Sequence, residues 1–406
     1  MKVAGIVCEY NPMHNGHTYH IEKTRQAGAT HIVAAMSGNF VQRGECAFVN
    51  KWKRAEIAVN CGADLVIDIP VPWSCSSAEN YAKGAVCLLN GFGIDFLSFG
   101  SECDDVELLK EAACACESEL LKNDIKGLIS TGLSYPSALQ KAVENSFSKE
   151  ISDILCSPNN VLAIEYIKAL EKINPNIDML AVKRKGTLHD GEFSNGSFMS
   201  ANAIRNLDNF SDAEKFMPAY SYGRIFENEN DFIDKNSFEA ALLFSLRRIK
   251  SEEMKKYVSD SSGLADRIFH ASRTACSLDK LYETVKTKSL TMAKVRREIM
   301  NIFLEIPKET ALSFPPYIRL LAANSGIVVA AGIWGKLKTA FTMVAVIAII
   351  FWLCLCSDFG IDFPQAFRNA VDNVLVPILV WISTALTIIS GAVYLKGYWH
   401  MIDSDK

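Results

Sequence analysis

From Lys2 to Glu102 the chain alternates short apolar runs with amphipathic stretches of about a dozen residues, and this alternation constrains the fold more than any other feature. "KVAGIVCEY" reads as a buried strand and "HTYHIEKTRQAG" as a helix closed by Gly28. "THIVAAMSG" is a second strand, "KWKRAEIAVNCG" a helix closed by Gly62, and "ADLVIDIPV" a third strand. "SAENYAKGAVCLLNGFG" and "IDFLSFGSE" add a helix and a fourth strand. Strands separated by helices of this length cannot form hairpins. They predict βαβ units and a parallel sheet with helices on its faces. Beyond Asp104 the text is helical to Ser148. "PNNVLAIEYIKALEKINP" is a further helix, "IDMLAVKRKG" a fifth strand, and "FMSANAIRNL" a loop entering a helix with Ser200 as N-cap. Residues Asn236 to Glu305 read as helical and rich in basic side chains, with "SFPPYIRLLAAN" ending that block.

The C-terminal text has a different character. "TAFTMVAVIAIIFWLCLC" (Thr339–Cys356) and "VLVPILVWISTALTIISGAVYL" (Val374–Leu395) are uncharged and of membrane-spanning length. Asp358, Asp362 and Asp372 lie between them against Arg368, and Lys336, Lys338 and Lys396 flank them. The positive-inside rule then predicts a transmembrane hairpin with both ends in the cytoplasm. A net charge of −4 excludes a protein that binds nucleic acid through its overall charge, so any such site must be a local patch. The 12 cysteines are scattered and form no C-x-x-C pair, which fits reduced thiols packed as small apolar groups on the cytoplasmic side. No secretory leader is read at the start.

The chemistry concentrates where the first strand meets the first helix. "EYNPMHNGHTYH" holds His14, His17 and His20 around Gly16. In a parallel sheet this position lies beyond the carboxyl end of a strand, where ligands bind. The helix start adds free N–H groups and the positive end of its dipole, so the expected ligand is a phosphate. A metal site on the three histidines and a purely structural pair are the competing readings; Gly16 and the helix start favour phosphate, and no metal ligand set is assigned.

H-x-G-H in this context resembles the nucleotidyltransferase superfamily. "GIVCEYNPMHNGHTYHI", "MSGNFVQRGE", "NKWKRAEIAVNCGADLVIDIP", "SFGSE", "SPNNVLAIEYIKAL", "VKRKGTLHD" and "SANAIR" occur in the order seen in bacterial tRNA(Met) cytidine acetate ligases, over Met1 to Ala323. The resemblance implies a Rossmann-like ATP-binding catalytic domain over 1–230 and a helical tRNA-binding domain over 231–323. It implies an enzyme that activates acetate with ATP to acetyl-adenylate. The acetyl group then passes to the wobble cytidine of elongator tRNA(Met), giving N4-acetylcytidine, AMP and pyrophosphate. The alternatives are a small-substrate adenylyltransferase and an inactive nucleotide-binding, membrane-tethered protein.

Residue by residue, the resemblance makes His14 and His17 catalytic. It places ATP along Val7, Cys8, Glu9, Tyr10, Asn11, Pro12, Met13, His14, Asn15, Gly16, His17, Thr18, Tyr19 and His20, with Gly100, Asn159 and Arg184. Mg²⁺ is expected with the ATP. His20 is expected to pack behind the other two histidines. Ser200 and Arg205 of "SANAIR" are candidate phosphate contacts, although Asn202 stands where a small hydroxyl is more usual, and Met13 where a Phe is. Asn39, Gln42 and Arg43 form a candidate loop for acetate or the target base. Lys51, Lys53 and Arg54 read as a solvated helix face, with contact to RNA as the alternative. The candidate tRNA contacts are Arg247, Arg248, Arg273, Lys286, Lys288, Lys294, Arg296 and Arg297.

Past Ala323–Gly326 the text instead resembles the C-terminal part of bacterial phosphatidylglycerophosphate synthase, without that enzyme's aspartate signature. Region 324–406 therefore reads as a membrane hairpin without lipid chemistry, arising by natural fusion or as a gene-model artefact.

Overall fold

The structure is a computed structural model, and it describes residues 1–185, 198–227, 232–259, 263–316, 318–323, 327–328, 333–357 and 363–398. Residues up to Val328 form one compact unit and those from Val329 a second. The first is built on a sheet of strands β1 (Val3–Cys8), β2 (His31–Ser37), β5 (Leu65–Ile69), β6 (Phe96–Ser101), β7 (Asp178–Lys183), β8 (Arg319–Ala323) and β9 (Ile327–Val328). Their spatial order is β7-β6-β1-β2-β5-β8-β9. The first five in that order are parallel, as the alternation requires.

Both faces of the sheet are covered, which explains why its strands read as continuous apolar runs rather than alternating ones. Along β2, Ile32, Ala34 and Met36 pack into one core with Ile21, Ile57 and Ala58 of helices α1 (Asn15–Gln26) and α2 (Lys51–Asn60). Val33 and Ala35 face the other core, with Val86 and Leu89 of Ala78–Gly91 and Ile164 and Ile167 of Pro158–Ile173. The helices from Lys235 to Phe303 enclose a third core around Leu246, Ile268, Leu281 and Ile299.

Two elements depart from the sequence expectation. "SFPPYIRLLAAN" does not merely end the helical block: Arg319–Ala323 returns as β8, antiparallel to β5, with Leu65 opposite Ala323 and Asp68 opposite Arg319. An open β5 edge would leave backbone donors and acceptors unpaired, and the buried Leu321 and Ala322 supply the strand that covers it. "SGNFVQRGE" is not only a loop. Phe40–Val41 (β3) and Glu45–Cys46 (β4) pair as a small antiparallel hairpin.

The face formed by Lys51, Lys53 and Arg54 is not solvated either. Lys53 and Arg54 are buried, and Lys51 ion-pairs with Asp68. Arg54 donates through Nε to Val49 O (3.1 Å) and through Nη1 to Glu9 O (2.6 Å) and Ser37 O (3.1 Å). Its Nη2 donates to Gly38 O. Burial pulls its pKa down to about 10, so the guanidinium stays charged at neutral pH. One cation thus satisfies carbonyls at the ends of both β1 and β2.

In the second unit, helix Ile333–Ser357 packs against Val376–Tyr398. Trp352 Nε1 donates to Asp372 Oδ1 at 2.7 Å. Among the described residues one stretch, Gln365–Ile389, is long and apolar enough to cross a membrane; Phe341–Cys356 is apolar but shorter. A two-span hairpin is therefore met only in part. Asp358, Asp362 and Gly326 lie outside the described residues.

Arg54→Met should remove a charge-assisted donor set and strand these buried carbonyls, costing about 3 kcal/mol of stability. Chemical denaturation of the variant against the parent measures it.

Candidate active site

The strand order reverses around β1: β2 and β5 lie on one side, β6 and β7 on the other. The crevice beyond the carboxyl ends of β1 and β6 is the place where such sheets bind ligands. The H-x-G-H turn leaves β1 there, Gly100 lies near the end of β6, and Arg184 follows β7.

His14 is the N-cap of α1, in extended backbone at φ −131°. Its Nδ1 accepts from Gly16 N at 3.0 Å, and His17 Nδ1 accepts from His14 N at 3.2 Å. This reciprocal cap fixes both tautomers, because a ring nitrogen that accepts carries no hydrogen. Each Nε2 therefore bears the proton and is a donor. The rings stack with centroids 3.8 Å apart. Gly16 is needed for this arrangement in a way the sequence did not suggest: a Cβ there would lie 2.8 Å from His14 Cε1.

Burial holds the histidines neutral. His14 is pushed down to about 3 by burial and then by Arg184. His17 lies well below the usual range through burial, then His14, Arg184 and His20. His20 is pushed down to about 4 by burial and Arg184. His20 Nε2 meets Ser98 Oγ at 2.9 Å, and Ser98 in turn meets Thr24 Oγ1 at 2.7 Å, so this ring is spent against β6.

Glu102, absent from the sequence-derived residues, organises the opposite wall. Its Oε1 accepts from Asn159 Nδ2 at 2.6 Å and lies 3.6 Å from Arg184 Nε. The neighbouring Asn160 is buried, and its Oδ1 accepts from Ser101 Oγ (2.7 Å), Glu102 N (2.9 Å) and Cys103 N (3.1 Å). Asn160 shapes the turn, which leaves Asn159 on the crevice side. The signal for Glu102 was its place in "SFGSE", directly after a strand end. Thr18 Oγ1, Arg184 Nε and Glu102 Oε2 are buried with no hydrogen-bond partner. Unpaired polar atoms of this kind in a crevice are the mark of a polar ligand.

Several predicted contacts hold the loop. Tyr10, at φ 45°, sets its ring edge against His17 with centroids 5.0 Å apart. Phe48 N donates to Asn11 Oδ1 (2.6 Å), and Ser221 Oγ donates to the carbonyl of buried Met13 (2.9 Å). Ser200 Oγ caps its helix at Ala203 N (3.2 Å). Arg205 donates to Asn11 O (2.5 Å) and Asn202 Oδ1 (3.2 Å), so the unusual Asn202 has a partner. Asn15 Nδ2 donates to Lys215 O at 3.0 Å, and Tyr19 carries Lys185 Nζ over its ring at 4.5 Å.

In the candidate substrate loop, Asn39 Oδ1 accepts from Lys51 N (2.9 Å) at the start of α2, Gln42 N donates to Glu9 Oε1 (2.9 Å), and Arg43 is exposed. Burial raises the Glu9 carboxyl above its usual range, opposed by the Gln42 hydrogen bond and by Arg54, Arg205 and Arg43.

The basic residues of the helical block divide. Arg247, Arg248, Arg273, Lys286 and Lys288 are exposed. Arg247 donates to Ser272 O (3.0 Å) and Ala275 O (2.7 Å), and Arg273 to Leu246 O (3.3 Å) and Ile249 O (3.0 Å), so both tie helix ends together. Lys294 is half-buried near the start of its helix. Arg296 ion-pairs with Glu45, and Arg297 donates to Gln42 O at 3.4 Å. Among the described residues, no group of His, Cys, Asp or Glu is placed to hold a metal ion.

A strand-loop-helix turn with H-x-G-H at the helix start is the pattern of a nucleotidyltransferase. The family model described as HIGH Nucleotidyl Transferase matches residues 1–327. The tRNA(Met) cytidine acetate ligase of Caldicellulosiruptor saccharolyticus is 40% identical, over 80% of this chain and 83% of that protein. Its namesake in Acetivibrio thermocellus is 38% identical over 80% and 83%. The crystal structure of Thermotoga maritima TmcAL bound with alpha-thio ATP aligns at TM-score 0.72 with 32% identity, over 80% of each chain. The apo structure of the same protein aligns at 0.74 with 33% identity, over 80% of this chain and 81% of that one. The chain belongs to the HIGH nucleotidyltransferase family, among the tRNA(Met) cytidine acetate ligases.

The buried histidines make stability pH-dependent. Below about 6.5 the unfolded imidazole takes a proton that the folded His14 refuses until about 3, so stability falls with falling pH across that window. His14→Asn should flatten the slope by up to about 1.4 kcal/mol per pH unit, read from urea denaturation between about pH 7 and about pH 5.

Proposed function

We propose that this enzyme is an ATP-dependent acetate ligase that forms N4-acetylcytidine at the wobble position of elongator tRNA(Met). The observation that carries the reading is the pair of neutral histidines whose Nδ1 atoms are engaged within the turn, leaving two Nε2–H donors beside Arg184. A phosphate chain is the ligand such donors fit, and the names of the relatives supply acetate and tRNA.

An acetate oxygen attacks the α-phosphorus of ATP. The bond to pyrophosphate breaks, and the acetyl-adenylate remains. His14 and His17 donate to phosphate oxygens as charge builds on them, and Arg184 draws in the same charge. Glu102 and Asn159 hold the nucleoside side. Mg²⁺ enters with ATP as its counter-ion. The cytidine amine then attacks the acetyl carbonyl, the bond to AMP breaks, and the amine gives up a proton. The donors are preorganised, since the capping bonds exist before any ligand arrives.

In this reading residues 1–230 carry the adenylate chemistry and 231–323 the tRNA contact, with exposed Arg248, Lys286 and Lys288 facing RNA phosphates. In the fusion reading of region 324–406 the helices Ile333–Ser357 and Val376–Tyr398 tie the enzyme to the cytoplasmic face of a membrane; in the gene-model reading they add nothing to its function. Their apolar surface supports the first of these, Trp381 being 72% exposed.

The test is incubation with ATP, labelled acetate and elongator tRNA(Met), followed by nucleoside analysis. Acetylated cytidine is expected; nucleotide binding without acetylation would sink the reading. His17→Ala should lower turnover about a hundredfold or more. Arg184→Met should chiefly raise the KM for ATP.

A further inference from the structure

The hairpin between β2 and α2 sits against the helix Met292–Phe303 more closely than a chance contact would. Gly44, at its tip, has φ +77°, and a Cβ there would lie 2.6 Å from Arg297 N and 2.7 Å from Arg296 C. Only a glycine meets both the backbone angle and the approach. Glu45 ion-pairs with Arg296, whose guanidinium carbon stands 5.3 Å from the ring centroid of Tyr282. Arg297 Nη1 donates to Gln42 O at 3.4 Å, and burial lowers its pKa.

The other side of the same hairpin reaches the active-site crevice. Gln42 N donates to Glu9 Oε1 at 2.9 Å, at the end of β1, and Gln42 Nε2 donates to Ser76 O at 3.3 Å. Ser74 Oγ anchors Phe40 O at 3.0 Å. The contacts form an unbroken physical chain from a helix of the basic block, through Gly44 and Glu45, to Gln42 and Glu9.

We propose that Gly44, Glu45 and Arg296 are positioning residues. In this proposal the Glu9 carboxyl and Gln42 serve the RNA acceptor rather than ATP or acetate, and through Gly44, Glu45 and Arg296 the helical block sets that pair, so that acetyl transfer to RNA depends on this docking while adenylate formation does not. Arg296 then serves RNA modification through the hairpin rather than by touching a phosphate. The inference rests on the acetate-ligase reading. Its physical basis is that displacement of a reacting group by about 1 Å costs rate steeply, whereas a binding surface remote from the displaced loop is untouched.

The experiment uses the full chain and two readouts: acetate-dependent ATP–pyrophosphate exchange, which needs no tRNA, and acetylation of elongator tRNA(Met). Glu45→Arg should lower the kcat of acetylation about tenfold or more, with exchange and the KM for ATP within about twofold of the parent. The double variant Glu45→Arg with Arg296→Glu restores the ion pair in reverse and should recover acetylation. Gly44→Ala, which forces the tip off the helix by geometry rather than charge, should show the same split and serves if Glu45→Arg folds poorly. Parallel loss of exchange and acetylation would overturn the proposal, as would failure of the double variant to recover, or unchanged acetylation in both single variants. A parent protein that forms no acetylcytidine would overturn the function reading instead, so the two failures are told apart.

Discussion

One buried guanidinium holds the loops on which the site depends. Arg54 reaches from α2 into the space where β1 and β2 end, and it meets carbonyls of Glu9, Ser37, Gly38 and Val49. Strand ends in a parallel sheet leave carbonyls pointing at the ligand crevice, and a core of apolar side chains could not satisfy them. A single always-charged, five-donor group does so while fixing the two loops relative to each other. The H-x-G-H turn and the β3–β4 hairpin both leave from carbonyls that Arg54 holds.

Much of this was legible in the sequence. The parallel strands followed from the alternation, because apolar runs joined by helices leave little other topology open. The candidate site is legible because His14, Gly16 and His17 lie at a strand end. What the sequence could not convey was which polar residues face inward. Arg54 lies in "KWKRAE", which by composition is a solvated face, and only the strand-end carbonyls explain its burial. Arg296 and Arg297 read as part of one basic patch, yet the fold pairs them with Glu45 and the Gln42 carbonyl, while Arg247 and Arg273 stay exposed as they donate to helix-end carbonyls. Glu102 carries no signal in the sequence beyond its place directly after a strand end. Its role is to hold Asn159 and Arg184, a function visible only in three dimensions. β8 is not legible in the sequence because its antiparallel pairing joins residues far apart along the chain.

The histidine turn shows how a short motif can be both fold and chemistry. Each ring uses one nitrogen to start the helix and keeps the other as a donor. Gly16 gives up its side chain to make room for the first ring. No residue outside the turn is required to set the tautomers, so the donor geometry belongs to the loop itself, while Arg184 and burial keep the rings uncharged.

The strand β8 has a consequence for how the molecule is made. The edge of β5 at Leu65–Ile69 is covered by residues 319–323, which the ribosome delivers only after the whole helical block. Until then the nascent sheet presents a bare, apolar margin, the kind of surface that pairs with stray strands. The catalytic layer is thus sealed last, by the stretch of chain that follows the basic helices, so a fully closed sheet certifies that the helical block has been synthesised.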